Sequence, residues 1–357
     1  MQSMNNTQIS FPSSITCIHH EFVCQVMKHP QKLAVELDEQ SMTYAELLHY
    51  VQILSLHLIN KCHVVPGEII CQCVERSLSM VIGIMAIEMI GGVYCPLSPR
   101  DPQHRLHALT EQAQSHLVLV HWLTKMKFNN DILLIDIQSI LFNNDVMCDV
   151  NVHRLSSITV TPNNIAYIIF TSGSTGIPKA IQARHENFIH FMNSLVRIDV
   201  FNKNDTAVQI GRCSFDIHVQ EILGTLMNGA TLIMVHPRGT IDFDYLSNIV
   251  QMKQITYMFM VPSLIQRFFT FIAQSSKTTT SKYFRSLCSG GEPFSVKLSH
   301  LIAQTRLCEY NVWNYYGPAE ITIACTLHLI HVKANAGSIP IGRPLSNYRC
   351  IIMNQHL

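Results

Sequence analysis

Residues 164–179 read NIAYIIFTSGSTGIPK. The run from Asn164 to Phe170 is apolar and short enough for a buried strand. Four hydroxyls and two glycines then fall within six positions: Thr171, Ser172, Gly173, Ser174, Thr175 and Gly176. Ile177-Pro178-Lys179 closes the stretch. Glycines let backbone N–H groups approach an anion, hydroxyls donate further hydrogen bonds, and Lys179 adds a point charge. Hydroxyls and glycines alone would also suit a plain turn; the flanking strand and the Pro-Lys ending favour a phosphate cradle. The pattern G-x-x-x-x-G-K-[ST] is absent, so this is not a Walker A loop. The spacing of HENFIHFMNSLV predicts that a helix follows.

Outward from this stretch, helix and strand signals alternate. Upstream, residues 42–60 carry helical spacing at Leu47, Leu48, Val51, Leu54 and Leu58. EIICQCV (68–74) reads as a buried strand, followed by a helix to Ile90 and a strand VYCPL. The next helix starts at Asp101 with Pro102 at its first position, and HLVLVH and DILLIDI are strands. Downstream, TAVQIG is a strand and FDIHVQEILGTLMNG a helix closed by Gly229. ATLIMV, TYMFMVP, FRSLCSGG and CEYNVWNYYG are further strands. The helices between them run to about Lys253 and over SLIQRFFTFIAQ and SVKLSHLIAQT. Such alternation predicts an α/β fold with mostly parallel sheets flanked by helices. SSKTTTSK (275–282) reads as a surface loop, and 142–163 as a candidate internal boundary.

Composition narrows the functional classes. The chain has 357 residues, 48% hydrophobic and 14% charged, which argues against intrinsic disorder. Net charge is +1 without a basic block, so a nucleic-acid footprint is not expected. Twelve cysteines are too dilute for a disulfide scaffold and form no C-x-x-C pair. Their apolar surroundings suggest free thiols in a reducing, cytoplasmic setting. The N-terminus lacks the basic and apolar regions of a signal peptide. Residues 77–99 hold Glu88 as their only charge. Gly91-Gly92 and two prolines divide that run, so it reads as a buried helix–turn–strand and not as a membrane span. There are nineteen histidines. His185-Glu186 with His190 is one residue too long for H-E-x-x-H, and positions five apart on a helix are about 140° apart. His104 and His107 lie on a charged helix. All are read as surface or packing residues.

IAYIIFTSGSTGIPK resembles the phosphate-binding signature of the adenylate-forming (AMP-binding) superfamily, and within it the amino-acid adenylation domains of nonribosomal peptide synthetases. Further motifs match in order over nearly the whole chain. Ser41-Met42-Thr43-Tyr44-Ala45-Glu46-Leu47 resembles the first core motif. Ile90-Gly91-Gly92-Val93-Tyr94-Cys95-Pro96-Leu97 with Asp101-Pro102 resembles the second. Phe215-Asp216-Ile217-His218 occupies the FDxS position. Asn314-Tyr315-Tyr316-Gly317-Pro318-Ala319-Glu320 resembles NxYGPTE, and Ile341-Gly342-Arg343-Pro344 matches the next turn.

The resemblance implies the large N-terminal subdomain of the adenylate-forming fold. It implies activation of an amino-acid carboxylate by ATP and Mg²⁺, giving an aminoacyl-adenylate for the thiol of a phosphopantetheinyl carrier. Thr171 to Gly176 and Lys179 would hold phosphates, with Lys179 and Glu320 catalytic and Glu320 the metal ligand. Tyr316 would stack on adenine; the alternative is a core tyrosine. Glu320 is a hard oxygen donor or a plain surface carboxylate. Gly290, Gly291, Glu292, Asn314, Tyr315 and Gly317 would complete the nucleotide site; a plain turn is the alternative at the glycines. Asp216 would pair with the substrate ammonium, or simply cap a helix. Ile217, Gln220, Phe259, Cys288, Gly290, Tyr315, Ile323 and Ala324 would line the side-chain pocket. Phe259 and Tyr315 would shorten it, which suits a small to medium, mostly uncharged amino acid. An acyl- or aryl-CoA ligase is the alternative within enzymes, and a non-catalytic nucleotide-binding remnant the alternative outside them.

The pattern departs at three places. Ala180 replaces a glycine after the lysine. Ala319 replaces a threonine whose hydroxyl would bond the nucleotide phosphate, a loss of about 1.5–3 kcal/mol. The Y-R-T-G-D segment and the lysine-bearing C-terminal subdomain are not in the sequence, and the pattern places Cys350 to Leu357 in mid-strand. Residues 1–357 are therefore expected to be the N-terminal subdomain alone, with weak ATP binding and little pyrophosphate exchange in isolation.

Overall fold

The computed structural model describes residue 7 and residues 16–129, 131–142, 153–172, 176–275, 278–305, 309–332 and 337–351. In chain order the strands are β1 (Leu33–Leu37), β2 (Gln40–Thr43), β3 (Ile69–Cys73), β4 (Val93–Pro96) and β5 (Leu117–Val120). Next come β6 (Leu133–Asp136), β7 (Ile165–Thr171), β8 (Lys179–Arg184), β9 (Thr206–Gln209) and β10 (Thr231–Met234). The last are β11 (Tyr257–Phe259), β12 (Ser286–Ser289), β13 (Asn311–Tyr316), β14 (Thr326–Leu329) and β15 (Arg343–Pro344). The longer helices are α1 (Ile18–Lys28), α2 (Tyr44–Asn60), α3 (Leu78–Met89), α4 (Gln103–Ala113), α5 (His185–Arg197), α6 (Phe243–Met252), α7 (Pro262–Gln274) and α8 (Val296–Thr305).

The strands form two sheets. One has nine strands in the order β15-β14-β13-β12-β11-β9-β10-β1-β2, the other six in the order β6-β5-β3-β4-β7-β8. Pairing is parallel through the middle of each sheet. It turns antiparallel only at edges: β1 with β2, β7 with β8, and β13 through β15. This is the parallel, helix-flanked α/β architecture that the alternation predicts.

Local chemistry starts and ends the helices. The Glu46 N–H donates to the Thr43 hydroxyl at 3.2 Å, and the Thr43 N–H donates to the Glu46 carboxylate at 2.7 Å. That reciprocal pair satisfies two orphan donors at the start of α2. Helix α3 is buried all round, Leu78 to Glu88 without a break, as expected of a helix apolar on every face. It is twelve residues long, and among the described residues no helix is long and apolar enough to cross a membrane.

Several expectations need correction. Pro102 is the cap residue of α4, not its first helical residue. The stretch 275–282 is not simply a surface loop: residues 276–277 lie outside the described set, and Thr278–Tyr283 is a 3-10 turn whose Thr280 and Ser281 are buried. A strand, β8, stands between the hydroxyl-rich loop and α5, so that loop is a hairpin connection closed by the pair Thr171 and Lys179. The stretch 142–163 connects β6 and β7 of the six-stranded sheet, and residues 143–152 of it lie outside the described set. Residues 352–357, where the sequence pattern suggests a strand, lie outside the described set.

One polar cluster ties the nine-stranded sheet to its loops. Asp205 is buried and accepts from Arg285 at 3.0 Å and 2.5 Å and from the Thr256 hydroxyl at 2.7 Å. Arg285 also donates to the carbonyls of Asp199 and Val200. Arg285→Ala leaves the Asp205 charge buried and short of its cation. It is expected to cost about 3 kcal/mol, near the low end for breaking a buried pair, read as a lowered denaturant midpoint. An unchanged midpoint would show that solvent replaces the guanidinium freely.

Candidate active site

The carboxyl ends of parallel strands form the crevice where open α/β sheets bind ligands. Here β9, β11, β12 and β13 end together around a cavity of about 570 Å³. Of the residues singled out in the sequence, Asp216, Ile217, Phe259, Gly290, Gly291, Glu292, Tyr315, Gly317 and Ile323 all line it. They come from five separated segments that only the sheet order brings together.

Asp216 opens a helical segment, 217–227, made of an α turn Ile217–Val219, a π turn Gln220–Gly224 and an α turn Thr225–Met227. Its side chain makes no N-cap hydrogen bond to the turn that follows, although the Ile217 N–H bears on it. The carboxyl is instead in a partly buried cavity wall. Burial pushes it up to about 6, against the pull of the N–H groups of Ile217, Asp216 and Ile323, with the Glu320 charge adding a smaller upward push. Thr322 and Ile323 both have positive φ, +65° and +70°. Two consecutive β-branched residues in the left-handed region are outliers, and such strain gathers at working sites. It turns the Ile323 N–H toward Asp216.

The floor is aromatic. Phe259 and Tyr315 meet edge to face with ring centroids 5.4 Å apart. Gly290 sits against both: a Cβ there would lie 3.0 Å from the Tyr315 carbonyl oxygen and 3.3 Å from the Phe259 ring. Beneath them, Gln220 donates to the Tyr257 hydroxyl at 2.5 Å, and the Tyr257 and Tyr315 hydroxyls are 3.3 Å apart. Cys288 is buried beside these two tyrosines, and burial pushes its thiol up to about 12. Gln220, Cys288 and Ala324 are all buried and do not line the cavity. The Gln220 amide N–H₂, on the π turn, donates to Tyr257; its Oε1 has no partner among the described residues. The amide that the sequence offers to a ligand is thus held inside the wall.

The other candidates flank the cavity. Lys179 is exposed at the start of β8, opposite Thr171. Ser172 and Gly176 are exposed; Gly173, Ser174 and Thr175 lie outside the described residues. Strand β8 packs against the 3-10 turn Ala319–Ile321, which presents the exposed Glu320. Tyr316 is 52% exposed, so it is not a core tyrosine. Asn314 is buried and donates to the Pro340 carbonyl at 2.8 Å, and Glu292 accepts from the Ser263 N–H and hydroxyl at 2.9 Å and 2.8 Å. Those two polar groups are spent on holding loops together. Gly317 allows close passage of the chain, since a Cβ would fall 2.6 Å from the Ala324 Cα.

Sequence reasoning missed two cations on the rim, Arg212 and Arg267, and the wall residues Ile210, Gly211 and Ser263. Arg212 follows a strand end and precedes Asp216 by four positions. A charge just beyond a strand's carboxyl end is the signal that would have found it. It also missed Glu221, which is buried, accepts from the Gly211 N–H at 2.8 Å and fixes that wall.

The profile of the AMP-binding enzyme family matches residues 22–357. The chain belongs to the AMP-binding enzymes. Malpinin synthetase of Mortierella alpina is 30% identical over 361 residues, 99% of this chain but only 4% of that protein. This AMP-binding enzyme chain thus spans a small fraction of the length of such a relative. Among solved structures, the nonribosomal peptide synthetase FmoA3 in its alpha-methyl-L-serine-AMP-bound form has a TM-score of 0.87 at 22% identity, covering 100% of this chain and 39% of that one. The N-terminal subdomain of Klebsiella oxytoca NpsA with 3-hydroxybenzoyl-AMSN has a TM-score of 0.81 at 21% identity, covering 95% and 81%. These structures share the fold of this AMP-binding enzyme. The site just described lies wholly within the matched residues.

Proposed function

We propose that this chain activates an amino acid: the substrate carboxylate attacks the α-phosphorus of ATP, pyrophosphate leaves, and an aminoacyl-adenylate remains for transfer to a phosphopantetheinyl carrier thiol. The observation that carries this reading is Asp216, a carboxyl in the wall of a cavity whose other charges are Glu292 and, on the rim, Arg212 and Arg267. A substrate ammonium is the natural partner for it. An acyl- or aryl-CoA ligase would bury that carboxyl against an acid that carries no ammonium, for no return. NpsA, with its aryl ligand, has the same fold, so the fold does not separate the two; Asp216 favours the amino acid.

In this reading the chain's own residues divide the work. Asp216 holds the ammonium and thereby aims the carboxylate. Gly290, Phe259, Tyr315 and Ile217 shape a short side-chain pocket. The β7–β8 hairpin with Lys179 holds the phosphate chain, and Tyr316 offers an exposed ring face to adenine. Glu320 is an exposed hard oxygen donor beside that hairpin and would hold Mg²⁺. When bound, Mg²⁺ neutralises phosphate charge. Catalysis is then positioning and charge stabilisation. The test is pyrophosphate exchange by the full-length protein with a panel of amino, aryl and fatty acids. Exchange driven by small uncharged amino acids is expected; exchange driven only by acids lacking an amino group overturns the reading.

The raised pKa of Asp216 gives a pH dependence of known sign. The ammonium requires the ionised carboxylate, and the empty site holds Asp216 at about 6. Affinity for the amino acid is expected to be flat near pH 7 and to fall about tenfold per unit well below pH 6. Asp216→Asn should abolish the dependence along with most of the affinity. A dissociation constant that does not change from about pH 5 to about pH 7 would remove Asp216 from the binding equilibrium.

A further inference from the structure

Away from the cavity, three buried side chains from distant segments converge. His19 lies in the first turn of α1, Glu88 near the end of α3, and His185 at the start of α5. One ligand-type atom from each lies within 4.8 Å of the others. His185 and Glu88 are 0% exposed and His19 is 4% exposed. Among the described residues, neither oxygen of Glu88 has a hydrogen-bond partner, nor has Nδ1 of His19. Nδ1 of His185 is 3.6 Å from a Glu88 oxygen and is reached by the Ile18 N–H at a long 3.4 Å. An Nδ1 that accepts an N–H carries a lone pair on that side.

A buried carboxyl with both oxygens unpartnered costs several kcal/mol unless something meets it. The two imidazoles offer nitrogen lone pairs, and with the Glu88 carboxylate they make a two-nitrogen, one-oxygen donor set.

We propose that His19, Glu88 and His185 bind a divalent transition-metal ion, for which Zn²⁺ is the best match to two imidazoles and one carboxylate. Donors at about 2.0–2.2 Å from a tetrahedral ion are roughly 3.3 Å apart. Side-chain shifts of about an ångström close the site to that size. The ion gives the Glu88 oxygens the partner that they lack among the described residues. It also joins α1, α3 and α5. His185 directly follows β8, so the ion anchors the downstream end of the strand that begins with Lys179. The site is independent of the proposed adenylation reaction.

The test uses the full chain, expressed in zinc-supplemented medium and purified without chelator. Elemental analysis is expected to find about one zinc per chain. Stripping with a strong chelator should lower Tm, and titrating Zn²⁺ back should restore it with release of a proton, seen calorimetrically in buffers of different ionisation enthalpy. The twelve cysteines could also collect zinc, so Glu88→Leu is the deciding variant. Leucine fills the space with apolar atoms, and the variant should fold, lose at least about tenfold in zinc affinity and show a Tm indifferent to chelator. Absence of zinc and of calorimetric uptake by the stripped chain overturns the proposal. So does a folded Glu88→Leu chain that holds zinc as tightly as the parent. If that variant does not fold, His19→Ala with the same zinc titration decides in its place: retained tight binding overturns the site, and lost binding supports it.

Discussion

Asp216→Ala is expected to lower amino-acid-dependent kcat/KM for pyrophosphate exchange by roughly a hundred- to a thousandfold while leaving ATP binding unchanged. The magnitude follows from removing one partner of a desolvated charge pair, about 3–4 kcal/mol. Stability should move the other way or not at all. The carboxyl is held up at about 6 by burial, so the empty protein gains nothing from its charge. A variant that melts no lower than the parent, yet has lost amino-acid turnover, is therefore the signature of a substrate partner. Loss of both activity and Tm would point to a structural carboxyl, and unchanged turnover would end the ammonium assignment.

Gly290→Val is the second large effect, and it tests the pocket without touching a charge. Even the first carbon of a side chain at Gly290 would meet the Tyr315 carbonyl oxygen at 3.0 Å, and the valine methyls would project further into the gap above Phe259. Valine at a strand end is otherwise well tolerated. The expected result is a loss of about a hundredfold or more in kcat/KM for the preferred amino acid, with overpacking costing about 1–3 kcal/mol of stability. Glycine or alanine as substrate should suffer least. Equal loss across all amino acids would mean that β12 and β13 have moved apart and that the pocket reading is wrong. Full activity would place the substrate side chain elsewhere.

How much of this was legible beforehand depended on the range over which each signal acts. The parallel strands and their helices announce themselves because each is a local apolar run of the right length. β8 did not, because its sequence KAIQAR buries only Ala183 and an edge strand needs little apolar surface. Asp216, Phe259, Gly290 and Tyr315 were legible through motif resemblance, and the sheet order then explains why they meet. The hydrogen bond of Gln220 to Tyr257 was not legible, because nothing in QEILG signals the π turn that carries it. His19, Glu88 and His185 stand far apart in sequence. The histidines read as surface or packing residues and Glu88 as the lone charge of an apolar run, and only the tertiary fold makes them a group.

The two-sheet arrangement has one further consequence. In the proposed reaction, the acid is read by the nine-stranded sheet and the phosphates by the hairpin of the six-stranded one. The gap between attacking oxygen and phosphorus is thus a property of neither sheet but of the joint between them. Arg76, just beyond β3, crosses that joint to the Gln209 side chain at 2.6 Å and to the carbonyls of Ile210 and Gly211, and Tyr94 crosses it to His218 at 3.3 Å. These residues act as a spacer gauge. Altering the gauge would leave each half-site its own affinity and change only how often the two bound halves come within reach of each other.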